Sequence, residues 1–297
     1  MAVALDAPSF VNAPANGSAR GYWHGVLLRL SRDKVTVACA VLLLALLLSA
    51  IFAPFVTPAD PYKTNMLRRL IPVGSSGHWF GTDELGRDMF TRLIYGGRLS
   101  LLMGTVPVLL AFVIGSTIGV SAGYLGGRIN MAVMRALDVF YAFPSVLLAV
   151  AISGALGPGM GNCLLALTLV FVPQVTRVAE SVTTQVRALD YIEAARMSGA
   201  GALAVIRVHV LGNVLGPVFV YATGLVSVCL ILASGLSFLG LGVRPPEPEW
   251  GLMLNTLRSA IYSNPWVAAL PGAMIFATSI CFNLLADGIR SAMDLRD

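Results

Sequence analysis

Charge is what this chain has least of. Only 12% of its 297 residues are Asp, Glu, Lys or Arg, against about a quarter in a soluble globular domain. A chain so poor in charge, 57% hydrophobic and with mean hydropathy +0.79, is suited to a bilayer rather than to water. Histidine is scarce too: His24, His78 and His209 lie far apart, so no metal cluster is expected. Cys39, Cys163, Cys229 and Cys281 have no CxxC spacing and all fall in apolar runs; they read as buried packing thiols. No GxxxxGK[ST] loop occurs, so the chain does not hold ATP that way, and any ATP-driven role needs a separate subunit. Strict period-2 alternation is missing, which argues against a β-barrel. No Ser/His/Asp or Cys/His set is spaced for catalysis, and ionisable residues inside apolar runs are few. These absences argue against a membrane enzyme and against a proton-coupled carrier. The net charge of +5 needs no nucleic acid to explain it.

Five stretches carry no charged residue at all: 35–59, 99–127, 139–176, 208–243 and 259–286. A spanning helix needs about 20 apolar residues. The run 139–176 is interrupted by Gly157-Pro158-Gly159 and holds two spans. The run 208–243 holds one span and then Gly235–Gly242, read as a loop or re-entrant segment. The expected fold class is an all-α integral membrane protein of six transmembrane helices, at about 35–56, 100–124, 132–156, 160–178, 213–235 and 266–287. Residues 1–22 read as a disordered cytoplasmic tail, and 23–297 as one membrane domain. No cleavable signal peptide is read; the first apolar run is too long for one and reads as a signal anchor. Arg29, Arg32 and Lys34 precede it, which places the N-terminus inside. Six spans then return the C-terminus to the same side. Twelve of the 20 Lys and Arg residues fall in segments this topology puts inside, a modest bias.

Between the fourth and fifth spans, at about 179–212, lies a long polar segment with a helix-forming core over 190–213. Asp190 and Glu193 have capping-box spacing, Ala194 and Ala195 keep one face thin, and Gly199 is suited to a left-handed stop. Such a segment reads either as a surface helix on which a soluble partner pushes or as an ordinary interhelical loop. Upstream, Thr82 or Asp83 is expected to cap a helix beginning near Glu84. Arg87, Arg92 and Arg98 are expected to pair with Asp83, Glu84 or Asp88, or to meet headgroups. Asp138 and Arg135, three apart, are expected to pair with each other. Asn283 and Asp287 share a helix face, and Pro107, Pro144, Pro173, Pro217 and Pro271 mark kinks.

Four strings carry a resemblance. Glu193-Ala194-Ala195, Gly199, His209 and Asn213 resemble the cytoplasmic "EAA" loop of ABC-importer permeases, although Gly212 stands where that family usually has proline. Gly81-Thr82-Asp83-Glu84-Leu85-Gly86-Arg87-Asp88 resembles the signature of dipeptide, oligopeptide and nickel permeases. So does Ser237–Val243 followed by Pro245-Pro246 and Glu249-Trp250-Gly251. The last is Phe282–Arg290, though the tail lacks the proline often found there. The resemblance covers about 22–296.

It implies a type I importer permease fold and a transport subunit without its own catalytic site. Glu193, Ala194, Ala195 and Gly199 would form the coupling helix against an ATPase. Partners would be a sister permease, two ATPase subunits that bind ATP and Mg, an extracytoplasmic binding protein and membrane lipid. The location would be the inner (plasma) membrane. The solute would be a di- or oligopeptide, with nickel or another small solute as the alternative and an autonomous secondary carrier as a remoter one. The external face would comprise 57–98 and 237–265, with Gly86, Arg244, Glu247, Glu249 and Trp250 as docking candidates and Trp79, Phe80, Trp250 and Tyr262 as exposed aromatics. Residues lining the solute path are not assigned.

Overall fold

The computed structural model describes residues 22–293; the tail reading for 1–22 falls almost wholly outside them. Twelve α-helices follow one another in the described residues. They begin with α1 (Tyr22–Arg32), α2 (Lys34–Ile51), α3 (Ala53–Val56), α4 (Met89–Leu125), α5 (Gly127–Tyr141) and α6 (Ser145–Leu156). Then come α7 (Met160–Arg187), α8 (Asp190–Met197), α9 (Ala202–Val205), α10 (Leu211–Phe238), α11 (Trp250–Thr256) and α12 (Pro265–Met293). Five helical stretches are long and apolar enough to cross a bilayer: α2, α4, α7, the continuous 202–238 stretch and α12.

The expected third span is not one rod. α5 and α6 meet at 85°, and together they make the sixth crossing only as a broken pair. Pro144 explains the break: it lacks a donor and pushes Phe143 out of the α region. Other boundaries move as well. α4 starts at Met89, not near Glu84 or at 100, because Asp88 is its cap: Asp88 Oδ2 accepts from Thr91 N at 2.8 Å. Asp83 is used up in a turn, accepting from Leu85 N and Arg87 N. α10 runs on to Phe238, so Gly235 is helical, and the left-handed residue comes only at Gly240 (φ 81°).

The core is a parallel α4–α7 pair. Gly115, Gly119 and Gly123 form a small-residue stripe on α4 that lies against Val175, Thr176, Ala179 and Thr183 of α7. Without a hydrophobic driving force inside lipid, such close backbone approach supplies the packing energy. A Cβ on Gly119 would sit 2.7 Å from Ala179 Cβ, so the stripe tolerates nothing larger. α10 covers the pair: Leu230 fills the space at Gly104, and the Cys229 thiol meets Met103 O at 3.4 Å. All four cysteines are buried and free.

Around this core, α12 joins α10 through Asn283 Oδ1, which accepts from Ser227 Oγ at 2.8 Å. α2 packs on α12, with Thr36 against Gly288. Arg98 does not pair with an acid: it donates to Ala50 O at 2.5 Å and Ile51 O at 2.8 Å. Those are carbonyls at the end of α2, which lack helical partners. Asp138 has the expected partner, Arg135, and a second, closer one. Arg177 Nη2 lies 2.6 Å from Asp138, while Arg135 is 3.9 Å away; an inter-helix guanidinium reaches the carboxylate better than the one on its own helix.

Candidate functional site at the 188–213 elbow and the opposite collar

α4 and α7 end together at one end of the bundle, and the 188–213 elbow is built there. α8 begins after Leu189, whose backbone is extended and supplies no side-chain cap. Asp190 is therefore the first helical residue and not the cap. With Glu193 it still places two carboxylates in the first turn, where the helix dipole favours them. Ile192 is fully buried and Ala195 packs on the core, whereas Glu193 and Ala194 face outward. The thin, acidic face is thus the accessible one.

The helix stops as its sequence requires. Gly199 has φ 84°; its N–H donates to Arg196 O at 3.0 Å and that of Ala200 to Ala195 O at 3.2 Å. That pair of bonds is the Schellman motif. The elbow is clamped to the bundle from two sides. Arg196 lies over the Tyr124 ring at 4.7 Å and reaches its hydroxyl. Asn213 donates to Tyr191 Oη at 3.1 Å and to His209 O at 2.7 Å, with the Tyr191 and His209 rings 6.1 Å apart. One π-helical turn, Ile206–Val210, leads into α10. Sequence reasoning noted His209 and Asn213 but missed Tyr124 and Tyr191; the only local signal was an arginine in the last turn of α8. Around the acidic face, Met197 (85% exposed), Leu203 and Val208 add an apolar surface.

At the other end, loops 57–88 and 239–264 form a collar; Asp83, Arg87 and Glu249 are buried in it, while Asp60, Lys63, Arg68, Arg69, Arg244 and Arg258 are exposed. Arg87 Nε donates to Asp83 Oδ2 at 2.6 Å. Arg92 Nε lies 3.4 Å from the same oxygen, an ion pair without hydrogen-bond alignment, while Arg92 Nη1 donates to Pro61 O at 2.9 Å. Glu249 is 1% exposed. It caps α11, accepting from Gly251 N and Leu252 N at 2.8 Å each and from Ser100 Oγ at 3.1 Å. Burial pushes its carboxyl up from the ordinary range, against the lowering effect of those N–H donors. Trp250 is 1% exposed, lies over Gly96 and Gly97 and donates Nε1–H to Leu93 O at 2.9 Å.

So two docking candidates, Glu249 and Trp250, are core groups of the collar, and Trp250 is not the exposed aromatic it was expected to be. Gly86 is buried as well: its φ is 72° and any Cβ would strike Asn65 O. Arg244 and Glu247 remain accessible; Arg244 donates to Pro158 O at 2.7 Å and Glu247 accepts from Tyr62 at 2.8 Å. Trp79, Phe80 and Tyr262 are exposed as expected.

Elbow and collar lie at opposite ends of one helical bundle, and comparison with known proteins shows its family. The profile described as "binding-protein-dependent transport system inner membrane component" matches residues 115–296. The chain belongs to that family. It is a multi-pass inner-membrane permease. The profile for the N-terminal transmembrane domain of oligopeptide transport permease C matches residues 21–72 of this permease. It is 40% identical to the dipeptide transport system permease protein DppC of Alkalihalophilus pseudofirmus, over 92% of this chain and 89% of that one. It is 39% identical to a probable D,D-dipeptide transport system permease of Escherichia coli K12, over 89% of each chain. It is also 39% identical to a glutathione transport system permease of Pectobacterium atrosepticum, over 93% of this chain and 92% of that one. The fold is similar to that of a chain of the MetNI methionine ABC transporter in inward facing conformations, with TM-score 0.56 and 20% identity, over 69% of this permease and 97% of that chain.

Proposed function

We propose that this permease is one half of the membrane pathway of an ATP-driven importer of di- or oligopeptides. The observation that carries it is the elbow: a short helix with an outward acidic, small-residue face, clamped to two core helices. A push on α8 reaches α4 through Arg196–Tyr124 and α10 through Tyr191–Asn213. ATP and Mg belong to two ATPase partners. Their closure moves the elbows of this chain and of a sister permease, and the spans tilt as rigid bodies. The collar receives solute from a binding protein, with Arg244 and Glu247 on the accessible rim. Both termini and the elbow then lie in the cytoplasm and the collar outside. The relatives carry dipeptide and glutathione names, which favours peptides over nickel. Family membership argues against an autonomous carrier.

The test is purification of the affinity-tagged chain with the products of its neighbouring genes in mild detergent. Two ATPase subunits and one sister permease should copurify, and ATP hydrolysis should rise when peptide-loaded binding protein is added. A chain that purifies alone and moves peptide without ATP would overturn the reading.

A further inference from the structure

Among the described residues, the face of α7 turned away from α4 is polar. Val175, Thr176, Ala179 and Thr183 point at the glycine stripe and are buried. Gln174, Arg177, Ser181 and Thr184 follow at i, i+3, i+7 and i+10, one helical face, and the last three are exposed. Arg177 stands level with Gly115 and Gly119, well inside the charge-free run 99–127. Its guanidinium and the Asp138 carboxylate pair at 2.6 Å, yet their side chains are 46% and 47% exposed. A half-exposed ion pair at that depth does not face lipid; it faces another subunit or water.

The backbone beside it is irregular in the same place. α5 and α6 part at 85° between Tyr141 and Ser145, and Pro173 interrupts the hydrogen-bond ladder of α7. Non-helical backbone at membrane depth is tolerated where it is buried in protein or lines a watery cavity, and interrupted helices mark solute sites in transporters. A recess of about 170 Å³ opens at this break, walled by aromatic rings, Ser145 and Gln174. Tyr141 joins it to the ion pair, with the Arg177 guanidinium 4.2 Å over its ring.

We propose that this face of α7 lines the solute path, and that the Asp138–Arg177 pair opens to bind the two ends of a zwitterionic short peptide. Arg177 takes the carboxylate, as a planar fork suited to it; Asp138 takes the ammonium. The recess holds a small side chain against the Tyr141 ring. In the resting chain Asp138 pairs with Arg177 and also lies 3.9 Å from Arg135, so neither of the two end-binding groups is left without a partner. The assignment of peptide ends rests on the peptide reading above; the water-lined face does not.

The experiment uses the full complex in proteoliposomes with its binding protein. Single cysteines at Ser181 and Thr184 should react with methanethiosulfonate ethylammonium, and one at Ala179, which is fully buried, should not. Shielding of Ser181→Cys and Thr184→Cys in the complex, with reaction only in the free permease, makes the face a subunit contact and overturns the proposal. Uptake of radiolabelled Ala-Ala is then compared with ATP hydrolysis. D138N and R177Q should lose at least tenfold in peptide taken up per ATP hydrolysed, on the order of a lost charge-assisted contact. The exchanged pair D138R/R177D should not recover. Uptake near wild type in the single variants, or full recovery in the exchange, makes the pair a structural brace and overturns the binding claim. If the wild-type complex takes up no peptide while the cysteines still react, the peptide reading fails and the lined path stands.

Discussion

Gly199 gives the sharpest test of the elbow, because its environment separates conformation from size. Its φ is 84°, and a Cβ placed there meets nothing within 4 Å. Only the backbone therefore resists substitution. An L-residue held in the left-handed region costs about 1–2 kcal/mol, and asparagine, which hydrogen-bonds locally, costs less. A β-branched residue should be worst. If the ATPase grips only the turned form, about 1–2 kcal/mol lowers the competent population about 5- to 30-fold. Peptide-stimulated ATP hydrolysis and uptake by the reconstituted complex should then fall in the order Gly, Asn, Ala and Leu together, Val. A size-limited groove on the ATPase would give another order, with Ala tolerated and Asn and Leu both inactive. That second order would refute the argument that the left-handed turn is what the partner reads.

Three further outcomes follow from the same geometry. Burial raises the Glu249 pKa, so the folded chain holds that proton more tightly than the unfolded one. Its stabilising contribution is complete below the ordinary carboxylate value and is lost as pH climbs through the raised value. The thermal midpoint of the detergent-solubilised permease should fall across that window, and E249Q should flatten the slope; an unchanged slope would exclude Glu249 as its source. Arg244→Glu, on the accessible rim, should slow delivery by the binding protein several-fold and change its salt dependence, with ATPase assembly intact; salt-independent, wild-type delivery kinetics would remove Arg244 from the docking surface. A cysteine at Ser76, exposed in the collar, should react with an impermeant thiol reagent from outside intact cells, and one at Ser198 only after permeabilisation. The reverse pattern would invert the topology and with it the elbow's role.

Much of the elbow was legible in the chain. Gly199 was marked as a left-handed stop by its place after a helix-forming run, and the structure has it there. Asp190 was placed one residue wrong: an Asp before a helix reads the same at the cap and at the first turn, and the backbone of Leu189 decides between them. The collar was less legible. A Glu-Trp pair in a Gly- and Pro-rich loop looks like surface, and hydropathy gives no sign that Gly96 and Gly97, some 150 positions earlier, leave room for the indole to be buried.

By itself the sequence determined five of the six spanning stretches, the buried cysteines and the turn at Gly199, because charge-free length, apolar composition and backbone freedom are properties of a local stretch of chain. It did not determine which faces meet. The addition of Arg177 to Arg135 as a partner of Asp138, the burial of Glu249 and the polar face of α7 opposite the glycine stripe were decided only in the tertiary structure. Each depends on side chains from distant segments reaching one point, and neither helical period nor hydropathy encodes which segments those are.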